Sequence, residues 1–235
     1  MPVHMKTSPI CVYGSDRGPE NAIRSSRINS CLAQSIYEIA EGRIDSPVYA
    51  GGKAVQSFCR CIGGPAWFGY AQFDPQLPGM MVTGSVKAKQ SGKHLKKDEE
   101  LARQTYEAVG NIKPLGRYVV ISRCADIKED PGVKCIICFA GGEMIRDLFA
   151  LAHFRSHDVF NLISFPWGPA CATMVTYPAS MAENFDSASI YLGPTDPSAR
   201  SWMPENYLAM EIPIEIARKM AQDIGVSFLE QADIV

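Results

Sequence analysis

The stretch VKCIICFA at Val133–Ala140, followed directly by Gly141-Gly142, decides the fold. It is apolar at almost every position, which is typical of a strand buried on both faces of a sheet. The two glycines mark a turn, and the segment Glu143–Arg155 after them is predicted to be a helix. A fully buried strand that leads into a helix indicates an α/β protein.

Strands and helices are predicted to alternate along the rest of the chain. After a strand-like or irregular lead-in (Pro2–Gly18), the other predicted strands are Pro47–Ala50, Arg117–Ser122, Val159–Phe165, Ser189–Leu192 and Tyr207–Ile212. The other predicted helices are Glu20–Glu41, Lys53–Phe58, Asp98–Val109, Ala170 to about Glu183 and Ile214–Ile224, with a loop at Gln72–Gly79. We therefore expect an α/β fold, with α+β as the variant, in which helices flank a mixed sheet.

The length of 235 residues fits one domain, 1–235, that could divide into lobes at 1–115 and 116–235. No convincing internal repeat is visible. A short echo links Cys61-Ile62-Gly63-Gly64-Pro65 with Gly168-Pro169-Ala170-Cys171, but it is too short to establish a duplication.

Charge and hydropathy exclude several classes of partner. The net charge is -2, and acidic residues follow the one lysine cluster at once, so we expect no nucleic-acid partner. The first residues lack the apolar stretch of a secretory signal, and no window approaches the length of a membrane span. These features predict a soluble cytoplasmic protein without a membrane partner.

Eight cysteines carry the functional signal. In a reducing compartment, clustered cysteines are more often metal-binding or catalytic than disulfide-bonded. Cys59 and Cys61 are two residues apart, so they share a face in an extended segment. Cys171 stands near the start of a predicted helix, where a thiolate is favoured. Cys124 follows a predicted strand and could reach a site at the strand ends.

Two pairs look like motifs but are expected to be structural. Cys135 and Cys138 lie inside the apolar strand, where residues three apart point to opposite faces, so core packing is predicted for both. His153 and His157 are four apart on a predicted helix, but Phe154 occupies the position of the glutamate in the zinc-protease motif. A surface pair is the favoured interpretation.

Near the C-terminal end, polar residues cluster around Trp202. Asp196, Arg200, Glu205 and Glu211 could line a pocket, or they could form a salt-bridged loop. The salt-bridged loop is the favoured interpretation.

The order of these segments resembles a known family. The segments are Cys31-Leu32-Ala33, Cys61 to Ala66, Gly168 to Ala172, and a tail with Asp196, Arg200 and Glu211-Ile212-Pro213. The pattern is similar to the uncharacterised archaeal cysteine-rich family called domain of unknown function 169, over roughly residues 20–225. Ile62 departs from the proline of that family, and the Gly-Asp-Arg run of the tail is split. The resemblance favours Cys31, Cys61 and Cys171, but it implies no reaction.

These observations predict an iron–sulfur protein. Thiolates are soft ligands that bind iron–sulfur clusters, usually four per site. Cys31, Cys61 and Cys171, with Cys59 or alternatively Cys124 as the fourth ligand, are predicted to hold a [4Fe–4S] cluster. The protein would act in anaerobic redox metabolism, electron transfer or cluster handling, with a redox partner protein or a small ligand.

Two alternatives stay open at this point. The first is a non-redox module that binds zinc or a small ligand, with Trp67, Trp167 and Trp202 lining a pocket. The second is a thiol-dependent enzyme with Cys171 as the nucleophile. The sequence does not decide whether the protein is an enzyme, and a homo-oligomer is compatible with it.

Overall fold

A computed structural model describes residues 5–28, 31–52, 63–82, 94–181, 189–197 and 201–230. Its strands are β1 (Ile10–Ser15), β2 (Ile23–Arg24), β3 (Val48–Gly51), β4 (Tyr118–Arg123), β5 (Val133–Gly141), β6 (Ile163–Ser164), β7 (Ile190–Gly193) and β8 (Tyr207–Pro213). Its α-helices are α1 (Leu32–Ala40), α2 (Gly64–Trp67), α3 (Leu77–Val82), α4 (Glu99–Val109), α5 (Gly142–His153), α6 (Tyr177–Met181) and α7 (Ile214–Asp223). A π-helix, Ala172–Thr176, leads directly into α6.

The strands form one mixed sheet in the order β2-β3-β4-β1-β5-β8-β7-β6. The pairs β2–β3 and β6–β7 are parallel, and the other neighbours are antiparallel. Helices cover both faces, so the predicted α/β class with a mixed, helix-flanked sheet is confirmed. Within the described residues, every helix falls short of what a membrane span requires.

The central strand β5 contributes to both hydrophobic layers. Ile137 and Phe139 pack with α1 and the π-helix on what we call the first face. Cys138 and Ala140 pack with α5 and α7 on the second face. Burial on both faces explains why this strand is apolar at almost every position.

The sheet is built from two halves with the same topology. Strands β1–β4 are arranged as β2-β3-β4-β1, and strands β5–β8 are arranged in the corresponding order β6-β7-β8-β5, with the same strand directions. The halves meet where β1 pairs with β5. A two-fold rotation about this junction maps the residue pair Ile10–Ile137 onto the pair Cys135–Val12. By strand order, β1–β4 form one half of the sheet and β5–β8 the other. The possible division into lobes 1–115 and 116–235 stays a prediction.

Several predicted elements are shorter than expected. The helix predicted over Glu20–Glu41 is α1 alone, preceded by β2 and a 3-10 turn at Ser25–Arg27. Serines in that region compete with helical hydrogen bonding, which limits the helix to its apolar part. The strand predicted over Val159–Phe165 is reduced to β6, because Asp158 accepts the backbone N–H groups of Phe160 and Asn161 and forms a turn there.

Other differences are local. The predicted loop Gln72–Gly79 ends in α3, where Pro78 occupies the first turn, a position that tolerates proline. The helix predicted from Ala170 begins as the π-helix. The helix predicted over Lys53–Phe58 lies outside the described residues. The helix predicted at Asp98–Val109 is confirmed as α4, with the Asp98 carboxylate accepting from Leu101 N at 2.8 Å.

Candidate functional site

The two predicted ligand cysteines that the structure describes occupy matching positions in the two halves. Cys31 immediately precedes α1, which links β2 to β3, and it is partly exposed. Cys171 immediately precedes the π-helix, which begins the link from β6 to β7, and it is 8% exposed. Cys59, Cys61 and Arg200 lie outside the described residues. The counterpart of Cys171 in the fold is thus Cys31, not Cys61 as the short sequence echo suggested.

The topology separates Cys31 from Cys171. Between β3 and β7 there are five antiparallel steps in the sheet, so these two strands run in opposite directions. A helix that links two parallel neighbours starts at the end where the first strand finishes. Cys31 therefore lies toward the end of the sheet where β2 finishes, and Cys171 toward the opposite end, where β6 finishes.

This separation bears on the predicted four-cysteine site. The nine residues of α1 alone span about 14 Å. A single cluster holds its cysteine sulfurs within a few ångströms of one another. The strand directions therefore argue against Cys31 and Cys171 as ligands of one cluster.

Cys124, the alternative fourth ligand, is paired with Cys11. The two sulfurs are 2.26 Å apart and the Cα atoms 5.1 Å apart, which joins β1 to the turn that follows β4. The expectation against disulfides is wrong for this pair. A cysteine in a disulfide has no thiolate to offer, so Cys124 could serve as a ligand only after reduction.

The strand pair Cys135 and Cys138 packs as predicted. Cys135 lies in the hydrophobic cluster of the first face and Cys138 in that of the second face. Burial raises the pKa of the Cys138 thiol to about 12 and also raises the pKa of Cys135. Both thiols are therefore protonated at neutral pH, and the prediction of core packing is confirmed.

The histidine pair does not share a helical face. His153 is the last residue of α5, and His157 lies beyond the helix. The His153 ring stacks on Phe149, and its Nδ1 is 2.9 Å from the Phe149 carbonyl oxygen. In the part of the chain that the structure describes, no group of three or more His, Cys, Asp or Glu side chains could hold a metal ion.

Each of the three tryptophans has its own aromatic or cationic partner. Trp67 packs against Phe73 and Tyr106, Trp202 packs against Tyr37, and Trp167 lies under the Lys96 ammonium group at 4.1 Å. Tyr177 contacts two of the three, because its ring meets the Trp67 ring at 6.5 Å and its hydroxyl donates to the Trp167 carbonyl. A pocket lined by all three tryptophans stays a prediction.

The most unusual described side chain is Glu211, in β8. It is fully buried, and neither Oε1 nor Oε2 has a hydrogen-bond partner. Burial raises the pKa of this carboxyl well above its usual value, so it is protonated where an exposed glutamate would be ionised. The favoured interpretation of Glu211 as part of a salt-bridged loop is wrong, because the residue lies in a central strand.

The surroundings of Glu211 come from the first face. Its cross-strand neighbours are Ile137 of β5 and Tyr191 of β7. A Cβ placed on Gly193 would lie 3.2 Å from Glu211 Oε1 and 3.3 Å from Thr173 Oγ1. Thr173 belongs to the π-helix, and its hydroxyl donates to the Ala170 carbonyl at 3.1 Å. A π-helix turn inside a helix is frequent at functional sites.

Aromatic side chains complete this site. The Tyr191 ring meets the Tyr177 ring edge to face, with centroids 6.3 Å apart. The Tyr177 hydroxyl donates to the Trp167 carbonyl at 3.4 Å. Burial raises the pKa of Tyr177 to about 12, with a smaller contribution from Cys171, and also raises the pKa of Tyr191. Both tyrosines are only partly buried, so the site borders the surface.

A cavity of about 470 Å³ lies beside this site. It is lined by the loop that follows Gly193 and by the segment before β8, including Asp196 and Glu205. Asp196 also accepts a hydrogen bond from Ala170 N at 3.4 Å, next to Cys171. Asp196 and Glu205 thus line a pocket, which is the alternative that the sequence left open. The buried acid itself was missed, because Glu211 stands among the polar residues of the tail and only the strand register shows that it points inward.

Comparison with known proteins gives one match. The family model described as DUF169, uncharacterised ArCR, matches residues 2–223, which confirms the resemblance over nearly the whole chain. No curated protein and no solved structure matches the chain.

Proposed function

Because this chain belongs to the uncharacterised DUF169 family, its function has to be inferred from its own residues, and we propose that it is a cysteine-ligated iron–sulfur protein. The proposed ligands are Cys31, which follows β2 in the chain, and Cys59 and Cys61, which follow β3. The proposed cluster is [4Fe–4S], and the proposed role is electron transfer, cluster handling or another step of anaerobic redox metabolism. The proposed location is a reducing cytoplasm, where ligand thiols stay available and the Cys11–Cys124 disulfide would be a rare exception.

The observation that carries the proposal is the parallel pairing of β2 with β3. Ile23 pairs with Val48 and Arg24 with Tyr49, so both strands finish at the same end of the sheet. In chain order, Cys31 follows β2, and Cys59 and Cys61 follow β3. The carboxyl ends of adjacent parallel strands are where α/β proteins commonly build binding sites.

The same topology revises the ligand set. Since Cys171 precedes a helix that starts at the opposite end of the sheet, we leave it out of the proposed site. Three cysteine ligands would leave one iron of a [4Fe–4S] cluster open to a substrate or an added ligand. The soft thiolate donors fit a cluster, although zinc with three thiolates and one water would use the same donors.

The test is metal and sulfide analysis of anaerobically purified protein. We expect about four irons and four sulfides per chain and a broad absorption band near roughly 400 nm. The substitutions Cys31→Ser, Cys59→Ser and Cys61→Ser should each lower the iron content. Cys171→Ser is the matched control, because it removes the topological counterpart of Cys31 and should leave the iron content unchanged.

The outcomes separate the alternatives. Colourless, iron-free protein from an anaerobic preparation would overturn the proposal, and stoichiometric zinc would replace it with the zinc module. Loss of iron in Cys171→Ser but not in Cys31→Ser would overturn the ligand assignment.

A further inference from the structure

We propose that the second half of the sheet holds a separate site that binds a primary ammonium group, formed by Glu211, Tyr191 and Tyr177. The site lies on the first face, beneath the π-helix. It does not depend on the proposed iron–sulfur cluster, whose ligands follow β2 and β3 in the chain.

The first argument is the unfilled hydrogen-bonding capacity of Glu211. The residue is fully buried, and both carboxyl oxygens lack a partner. A buried polar group without a partner is costly, so a native structure that retains one requires an explanation. A ligand with N–H donors would supply the missing partners, and a charged donor would supply the stronger ones.

The second argument is the aromatic pair beside the carboxyl. Tyr191 pairs with Glu211 across the strands, so the two side chains share a face at close range. The Tyr177 ring stands edge to face against Tyr191. The faces of such rings attract cations, and together with a carboxylate they form a common binding arrangement for ammonium groups.

The third argument is the sign of the nearby charge. Asp196 and Glu205 line the cavity formed by the loop that directly follows Gly193. The ammonium group of Lys96 lies over the Trp167 ring, 4.1 Å from the ring centroid, and is not among the residues that line this cavity. Carboxylates around a cleft raise the local concentration of cations and oppose anions. The ligand is therefore expected to be cationic.

The absence of a side chain at Gly193 leaves room for the Glu211 carboxyl. Gly193 has no Cβ, and a Cβ at that position would crowd Glu211 Oε1. The π-helix widens the turn that carries Thr173, whose Oγ1 would lie 3.3 Å from the same added Cβ. Both local irregularities thus occur next to the buried acid.

Binding should release a proton. The titratable groups packed around Glu211 are Cys135, Tyr191 and Tyr177, and Cys138 lies on the other face of β5. All four have raised pKa values, so they stay neutral at neutral pH. Glu211 is protonated without a ligand, and an ammonium group would favour its ionised form, so the affinity should rise with pH.

The test is isothermal titration with n-butylammonium in buffers of different ionisation enthalpy. We expect saturable binding with proton release, weaker binding of tetramethylammonium, which has no N–H donor, and no binding of the uncharged n-butanol. Glu211→Gln keeps the size of the side chain and removes its charge, and it should weaken binding by about tenfold or more. Tyr191→Leu should also weaken binding.

The first half of the sheet provides the matched control. Tyr49 and Tyr118 form a similar edge-to-face pair, with ring centroids 5.5 Å apart, so Tyr49→Leu should leave binding unchanged. The proposal is overturned if the wild type does not bind n-butylammonium, if n-butanol or tetramethylammonium binds equally well, or if Glu211→Gln binds as the wild type does. A repeat with Cys31→Ser protein, in which binding should persist, distinguishes failure of this site from failure of the cluster.

Discussion

The two halves of the sheet differ most at one pair of equivalent positions. In the first half, Ile121 lies between Val12 and Val48. In the second half, Glu211 lies between Ile137 and Tyr191. Both central residues are fully buried. Because isoleucine fills this position in one half, the fold requires only a buried side chain there, and the carboxyl in the other half calls for a functional explanation.

The helices above these positions differ as well. The helix that follows Cys31 is a regular α-helix, whereas the helix that follows Cys171 begins with five residues of π-helix. Pro178 lies just beyond that π-helix, where the first half has Glu38 seven residues after Cys31. Proline cannot donate a hydrogen bond and clashes with the carbonyl one turn earlier, so a widened turn accommodates it. The second half therefore differs from the first both in the regularity of its helix layer and in the residue that its sheet buries beneath it.

The strongest challenge to this comparison is to place an acid in the first half. Ile121→Glu buries a carboxyl between Val12 and Val48, within the hydrophobic cluster of the first face. We expect a loss of about 3–5 kcal/mol in the free energy of unfolding, measured by urea denaturation at pH 7.

The matched control is Ile121→Met, which keeps the volume and the apolar character of the side chain. It should cost less than about 1.5 kcal/mol. If Ile121→Glu is as stable as Ile121→Met, the sheet tolerates a buried acid in either half. The burial of Glu211 would then not require a functional explanation.

The sequence patterns predicted several individual strands and helices, but they did not predict which strands pair with one another. The fully apolar β5 and the capped helix α4 were predictable, because each depends on local features such as burial of both faces or Asp98 at the helix start. The repeated topology of the two halves was not predictable, because the halves share the order of their strands and not a recognisable sequence pattern. The separation of Cys31 from Cys171 and the inward direction of Glu211 follow from register and strand direction, which are set by contacts between residues far apart in the chain.

A second prediction concerns pH. Burial raises the pKa of Glu211 in the folded state above its value in the unfolded chain. The unfolded chain therefore ionises first as the pH rises, and the stability of the wild type falls from about pH 4 upward by up to about 1.4 kcal/mol per pH unit. Glu211→Gln has no carboxyl to titrate, so its stability should lack this component. The urea midpoints of the wild type and of Glu211→Gln should be measured at pH 4, 6 and 8. They should be most similar at pH 4, and at pH 8 the midpoint of the variant should be the higher one. Parallel profiles for the two proteins would contradict the raised pKa.

The smallest expected effect tests the room that Gly193 leaves for the acid. Gly193→Ala would place a Cβ 3.2 Å from Glu211 Oε1 and 3.3 Å from Thr173 Oγ1, so we expect a loss of about 1–3 kcal/mol from crowding. The control is Gly142→Ala in α5, where no atom lies within 4 Å of the added Cβ and alanine should be neutral or stabilising by about 0.4–1 kcal/mol. The double variant Gly193→Ala with Glu211→Ala identifies the cause. If the carboxyl is what the methyl group meets, the second substitution should remove most of the cost of the first. An undiminished cost would assign the crowding to Thr173 and the π-helix instead.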